Sequence, residues 1–268
     1  MPELPEVEVT RRQVERVLVG ATILKVWTSE PSYFFVTEPA LLKKRLRGRL
    51  VRALTRHGKY MLATFDDDSR LLLHLGMTGQ LSTTDFPGDP HVHLRLELSG
   101  NKGLFFRDVR KFGKVEWLRP GHSSPRLDKL GPDALVVVPE EFYARLSARK
   151  ISIKQALLDQ SILSGVGNIY ADEALFAARI LPERASHTLD QPEAKRLLRE
   201  VKRVLDKSIQ HGGSTINDYL QPDGELGGYQ NWHRVYGRTA EPCPRCRTAI
   251  SRVVLGGRSS HFCSSCQK

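Results

Sequence analysis

Apolar residues recur at helical spacing from the start of the chain. Val7, Val14, Val17 and Leu18 fall on one face of a helix that Pro5 can open and Gly20 stops. Glu6 and Glu8 suit the positive end of its dipole. The pattern then changes to short runs rich in apolar residues: TILKVW, RLVRAL, YMLATF, RLLLHL, HLRLEL, GLFF and KVEWL. Clusters such as DDDSR and SGNKG interrupt them at short intervals, which predicts a β-sandwich or barrel. Near Pro120 the pattern turns again. RPGHSSPRLDKLGPDAL reads as a linker, and EEFYARLSARK, SIKQALLDQSIL and NIYADEALFAARI read as helices. PEAKRLLREVKRVLDKSIQHGG has the clearest helical period: Leu197, Leu198, Val201, Val204, Leu205 and Ile209 form one stripe for core packing, and Gly212 ends it. TINDYLQPDGELGGYQNWHR is Gly-rich and polar, a long functional loop or a disordered one. The pattern therefore predicts a β-domain led by a helix, then a helical domain, then a small cysteine-bearing module.

Charge changes this picture. The 268-residue chain has a net charge of +11, a large excess for an enzyme of small metabolites, and it points to a polyanionic partner such as nucleic acid. From Gln230 to Lys268 seven basic residues face one acid, Glu241, so the last module carries +6 of the total. No run approaches the roughly 18 apolar residues that span a bilayer. The opening residues carry neither the basic run nor the apolar stretch of an export signal, and an intracellular protein is expected.

All four cysteines lie in that module, as CPRC, sixteen residues, then CSSC. The intervening RTAISRVVLGGRSSHF reads as two short strands joined by a Gly-Gly turn. This is the pattern of a zinc ribbon, with Cys243, Cys246, Cys263 and Cys266 holding one structural Zn2+. A disulfide pair or a redox motif is the alternative, disfavoured without an export signal. Arg258 sits at the ribbon's tip, suited to phosphate or groove contact.

Three further stretches carry candidate chemistry. In SGVGNIYADE, Gly165 and Gly167 allow a tight turn between helices, and Asn168 is placed to cap the second, whose free N–H groups can hold a phosphate. HLGMTG puts Met77 on a turn, and DVRKFG puts Arg110 and Phe112 on another. Large apolar side chains on such turns fold back into the core or act as wedges that enter base stacks. RHGKY places Lys59 just before a strand.

The first residues, MPELPEVE, complete a set in a fixed order with RHGKY, HLGMTG, DVRKFG, GVGNIYADEALF, GGST, YQNWHRVYGR and CPRC…GGRSSHFCSSCQ. In this order they resemble the formamidopyrimidine-DNA glycosylases, bacterial 8-oxoguanine DNA glycosylases and AP lyases, over nearly the whole chain. The resemblance implies an α+β multidomain fold: an N-terminal β-sandwich led by a helix (1–120), a linker (121–135), a helix–two-turn–helix domain (136–230) and a terminal zinc ribbon (231–268). DNA lies in the family between the domains. The resemblance implies a catalytic set of Pro2, Glu3, Glu6, Lys59 and Arg258. It implies DNA contacts at His74, Met77, Arg110, Phe112, Asn168 and Lys154, and a lesion loop with Asn217, Tyr219 and Gly224. The implied partner is double-stranded DNA bearing oxidised bases, met by a monomer in the bacterial cytoplasm at the nucleoid. Two departures stand out. Many members have a proline after the Asp of DVRKFG, where this chain has Val109, and several have a basic or small residue at Asn217.

The implied chemistry suits these residues. With Met1 removed, the secondary amine of Pro2 attacks C1′ of the sugar, the base leaves, and an iminium links enzyme to DNA. That cation acidifies the C2′ protons, so β- and then δ-elimination follow. Glu3 moves protons to and from the ring oxygen and leaving groups. Arg110 hydrogen-bonds the orphaned cytosine. A helix end lowers the amine's pKa, and Glu3 and Glu6 raise it. Two other readings compete. An endonuclease VIII-type enzyme for oxidised pyrimidines typically opens MPEGPE and fills the void differently. A non-enzymatic zinc-ribbon DNA-binding protein explains the charge and cysteines but not MPELPEVE.

Overall fold

The computed structural model describes residues 2–268. The chain forms two compact units: residues up to Asp128 with His211–Gly228, and Lys129–Gln210 with Tyr229–Lys268.

The first unit opens with α1 (Leu4–Leu18), which has proline in its first turn; Gly20 follows with φ +81°. Then come β1 (Ile23–Thr28), α2 (Pro39–Leu46), β2 (Val51–His57), β3 (Tyr60–Phe65), β4 (Arg70–His74), β5 (Gly79–Ser82), β6 (Val92–Leu98), β7 (Lys102–Asp108), β8 (Lys114–Leu118) and α3 (Pro125–Asp128). The strands build two antiparallel four-stranded sheets, β1-β6-β7-β5 and β2-β3-β4-β8. Residues of both sheets, among them Leu71, Leu73, Leu94, Leu96 and Phe106, share one core with Val7, Val14 and Leu18 of α1. Burying each such side chain contributes about 1.5–3 kcal/mol. This is the expected β-sandwich led by a helix.

Three elements were not legible. PALLKKRL forms α2, GQLS forms β5, and PRLD, within the stretch read as a linker, forms α3. All three are short, and β5 exists through its pairing with β7, a distant partner.

The second unit holds α4 (Pro139–Ser147), α5 (Ile153–Leu158), α6 (Asn168–Ala178) and α7 (Gln191–Gln210), then β9 (Ser251–Leu255) and β10 (Arg258–Phe262). The apolar stripe of α7 is buried as the pattern required. The second of the expected helices is shorter than its sequence suggested. After Leu158 the backbone leaves the helix at Asp159 (ψ 106°), whose Oδ1 accepts from the N–H and hydroxyl of Ser161 and so stabilises a turn. The ribbon's Gly256 and Gly257 have φ +55° and +74°, the geometry of a tight two-residue hairpin turn. The ribbon clusters with the helices: Gln267 Nε2 donates to the Ile180 carbonyl at 2.8 Å and Arg245 Nη1 to that of Phe176 at 2.9 Å. The sequence division carried the helical domain to residue 230, whereas His211–Gly228 packs within the first unit, for reasons visible at α1.

Candidate functional site

Pro2 and Glu3 lie buried at the start of α1. Glu3 and Glu6 form a reciprocal capping box: the Glu3 side chain accepts from the Glu6 amide, and Glu6 Oε2 accepts from the Glu3 N–H at 2.8 Å. The other oxygen of Glu6 accepts from the Ser214 N–H at 2.8 Å, and the Tyr219 hydroxyl donates to the Glu6 carbonyl at 3.3 Å. Glu6 therefore joins the helix start to the 211–228 segment. A Cβ on Gly213 would stand 3.0 Å from Glu6 Oε1, and the positive φ (+83°) makes any side chain there strained, so glycine suits this approach.

The same helix also reaches Lys59. Glu8 accepts from Arg11, Arg12 and Arg56 at 2.7–3.1 Å. Burial alone would raise its pKa, but these guanidiniums outweigh that and hold it at about 2. Arg56 passes the connection on by donating to the Gly58 carbonyl at 2.9 Å, fixing the β2–β3 turn that carries Lys59. Lys59, a type usually solvated in such a turn, is only 8% exposed. His74 sits beside it at the end of β4, with its ring 4.5 Å from that of Tyr60. Burial, then the charges of Lys59, Lys114 and Arg126, depress the His74 pKa to about 4. Its Nδ1 accepts from the Gly76 N–H at 3.2 Å, which leaves a neutral ring with Nε2–H as donor.

The Met77 turn and the Arg110–Phe112 turn meet. A Cβ on Gly76 (φ +66°) would lie 2.5 Å from the backbone of Phe112 and Gly113. Asp108 locks the junction, accepting from the Thr78 hydroxyl at 2.6 Å and from the Gly113 N–H at 2.7 Å. Met77, Arg110 and Phe112 thus rise from one platform. Phe112 is 41% exposed, and the Arg110 guanidinium stacks 4.5 Å from its ring centre.

The 211–228 segment is ordered rather than loose. Beyond Glu6, Gln80 Nε2 donates to the Asp218 carbonyl, the Thr83 N–H to that of Pro222 at 3.3 Å, and Gln13 Nε2 to Gln221 Oε1 at 2.9 Å. Tyr219 is buried, with burial and the Glu6 charge raising its pKa, whereas Asn217 and Gly224 are exposed.

In the second unit, α5, the Gly turn and α6 form the helix–turn–helix. Asn168 is the first helical residue rather than the cap. Gly167 takes the cap position with extended backbone (φ −132°), and Asn168 Oδ1 has no hydrogen-bond partner among the described residues. The exposed Arg258 projects from the ribbon hairpin, whose Gly256 lies against Gln155 of α5. Lys154 corrects the expectation of a DNA contact. It is fully buried, its ammonium 2.5 Å from Asp172 Oδ1 and 2.9 Å from the Asn168 carbonyl. Its ammonium ties α5 to the start of α6 instead of facing solvent. Asp172 Oδ2 also accepts from the backbone N–H and ring Nδ1 of His261, both at 2.9 Å. The adjacent Glu173 accepts from the amides of Arg234, Val235 and Tyr236 at 2.9–3.0 Å, while burial raises its pKa. Sequence reasoning missed Asp172, Glu173 and His261. The only signal was two acids inside an otherwise apolar helix.

Cys243, Cys246, Cys263 and Cys266 bring their Sγ atoms within 4.8 Å of one another, with pairs at 3.4 and 3.9 Å. A tetrahedral zinc with Zn–S of about 2.3 Å places its sulfurs about 3.8 Å apart. A closed set of four thiolates at this spacing fits one structural zinc ion and leaves no open catalytic position.

A helix-led β-sandwich, a helix–turn–helix and a four-cysteine ribbon define a zinc-ribbon protein of the DNA-handling class. Residues 1–115 match the formamidopyrimidine-DNA glycosylase N-terminal domain, 130–219 the formamidopyrimidine-DNA glycosylase H2TH domain, and 240–268 the zinc finger found in FPG and IleRS. The chain belongs to the formamidopyrimidine-DNA glycosylase family. It is 44% identical to the formamidopyrimidine-DNA glycosylase of Deinococcus radiodurans, covering 100% of this chain and 97% of the relative. The crystal structure of the MutM (Fpg) protein from Thermus thermophilus superposes with a TM-score of 0.89 at 40% identity, over 99% of this chain and 98% of that one. A complex of a Lactococcus lactis Fpg mutant with Fapy-dG-containing DNA superposes at 0.90 with 36% identity, over 100% of both chains. No helix among the described residues is long and apolar enough to cross a membrane.

Proposed function

We infer that this chain is a base-excision repair enzyme, a DNA glycosylase with AP lyase activity that removes oxidised purines from duplex DNA. The observation that carries the inference is the full-length likeness to an Fpg complexed with Fapy-dG-containing DNA. Its partner is double-stranded DNA, engaged by a single chain. The proposed location is the bacterial cytoplasm, at the nucleoid.

In the proposed mechanism Met1 is removed and the Pro2 nitrogen attacks C1′. The C1′–N bond to the base breaks, and the departing base takes a proton. The Pro2 nitrogen loses its own proton, and its lone pair forms the C1′ iminium as the C1′–O4′ ring bond breaks and O4′ takes a proton. Glu3 is the proposed proton carrier for the ring oxygen and leaving groups. Its backbone is held by Glu6, which supports a fixed geometry for that transfer. Loss of a C2′ proton then expels the 3′ phosphate, and a second elimination expels the 5′ phosphate. Lys59, the neutral Nε2–H of His74, Asn168 and Arg258 are the proposed phosphate contacts. Met77, Arg110 and Phe112 would fill the space of the everted nucleotide. Asn217, Tyr219 and Gly224 belong to the proposed lesion loop. Zinc, held by the four cysteines, would supply folding energy to the ribbon and no chemistry.

Borohydride trapping on an 8-oxoguanine:C duplex tests this reading. A covalent adduct through Pro2 is expected, with weaker trapping on thymine glycol. No adduct with either lesion from demethionylated protein would overturn it.

A further inference from the structure

We propose that Tyr33 is a specificity-determining residue, which positions Arg110 and thereby sets discrimination of the base opposite the lesion. The inference rests on the proposed role of Arg110 at the orphaned base.

Arg110 lies on a loop without strand pairing, yet both of its backbone polar groups are held by side chains. The Tyr33 hydroxyl donates to its carbonyl at 2.6 Å, and its N–H donates to Thr78 Oγ1 at 3.2 Å. Tyr33 comes from a segment 77 residues away and is itself anchored. Lys114 Nζ lies 4.6 Å from the centre of its ring and donates to the carbonyls of Tyr33 at 2.9 Å and Gly113 at 3.1 Å. The rings of Tyr33 and Phe112 have centres 6.3 Å apart, and the Arg110 guanidinium stacks on Phe112. Tyr33 is nevertheless 58% exposed, so its ring is not there to fill the core. An exposed tyrosine whose hydroxyl is committed to one carbonyl acts as a strut. Hydrogen bonding to a base edge depends on angle and distance far more than does a phosphate contact, so displacing Arg110 should damage base discrimination first.

The test uses duplexes with an uncleavable tetrahydrofuran abasic analogue opposite C or A. Binding is measured for the wild type, Tyr33→Phe, Arg110→Ala and the double variant. Tyr33→Phe removes only the hydroxyl and should lower the C-over-A affinity ratio about threefold to tenfold. Affinity for undamaged duplex and the thermal midpoint should hold, since Tyr33 is exposed. In the Arg110→Ala background Tyr33→Phe should change nothing further. A Tyr33→Phe ratio equal to wild type, or equal losses in both backgrounds, would overturn the proposal. Excision of 8-oxoguanine is followed in parallel. A wild type that discriminates on the analogue but excises nothing would sink the enzymatic reading and leave the assignment of Tyr33 standing.

Discussion

The carboxylate of Glu6 is shared between two amides 211 residues apart, those of Glu3 and Ser214, each at 2.8 Å. One side chain thus couples the residue beside the proposed nucleophile to the proposed lesion loop. Glu6→Gln keeps the shape but turns one oxygen into an amide donor that faces another donor. Loss of a buried, charge-assisted bond costs about 1.5–3 kcal/mol. Base excision should fall about tenfold or more, and urea stability should drop by a similar energy. Chymotrypsin should cut more readily after the released Tyr219 or Leu226. Wild-type rates and proteolysis in the variant would show that the clamp is idle.

The platform that carries Met77, Arg110 and Phe112 depends on the absence of a side chain at Gly76. Its φ is +66° and the nearest backbone atoms of the facing turn are 2.5 Å from where a Cβ would stand. Gly76→Ala must therefore push the Met77 turn from the Phe112 turn, at a cost of about 1–3 kcal/mol. Lesion affinity should fall several-fold with duplex affinity retained, measured by titrating abasic-analogue and undamaged duplexes. Affinities for both duplexes unchanged from wild type would mean the turns do not act together.

Lys154 and Arg258 separate positioning from contact. Arg258→Ala removes a proposed phosphate contact, so the slope of log affinity against log salt should shallow by about 0.9. Lys154→Met leaves Asp172 buried with only His261 and should cost about 3–5 kcal/mol of stability. Where the variant still folds at low temperature, its affinity should drop with the salt slope unchanged. A slope reduced as in Arg258→Ala would return Lys154 to the DNA contacts.

What was legible in the sequence was local. Leu197 to Ile209 announce α7 by period alone, the CxxC pairs announce the metal, and Pro5 and Glu6 announce the start of α1. What was hidden depends on distant partners. Strand β5 needs β7, and Lys154 finds Asp172 only once α5 and α6 pack. Tyr33 reads as a surface tyrosine until Arg110 arrives beside it. Glu6 was recognisable as a first-turn acid, but its grip on Ser214 was not, because no local pattern encodes a contact across nearly the whole chain.

His74 gives a pH signature of the fold. Its folded pKa is about 4, against 6.5 for an ordinary histidine, because burial and the charges of Lys59, Lys114 and Arg126 oppose its protonation. Above pH 6.5 neither folded nor unfolded chain protonates it, and stability is unaffected. Between 6.5 and 4 the unfolded chain binds a proton that the folded chain refuses, so stability falls as pH falls. Below about 4 both states are protonated and the loss is complete. His74→Gln removes this titration and should flatten the urea midpoint between pH 6.5 and 4. A residual slope remains from His233, whose pKa burial also lowers to about 4, from His93, which burial also lowers, and toward the acid end from Glu8, held at about 2 by its arginines. Because His74 stays neutral through the physiological range, it should add no counterion release on DNA between about pH 8 and 6. The salt slope attributable to His74, obtained by comparison with His74→Gln, should be zero at both pH values. A slope that steepens at the lower pH in the wild type alone would mean the ring protonates on DNA, and that the neutral Nε2–H donor is wrong.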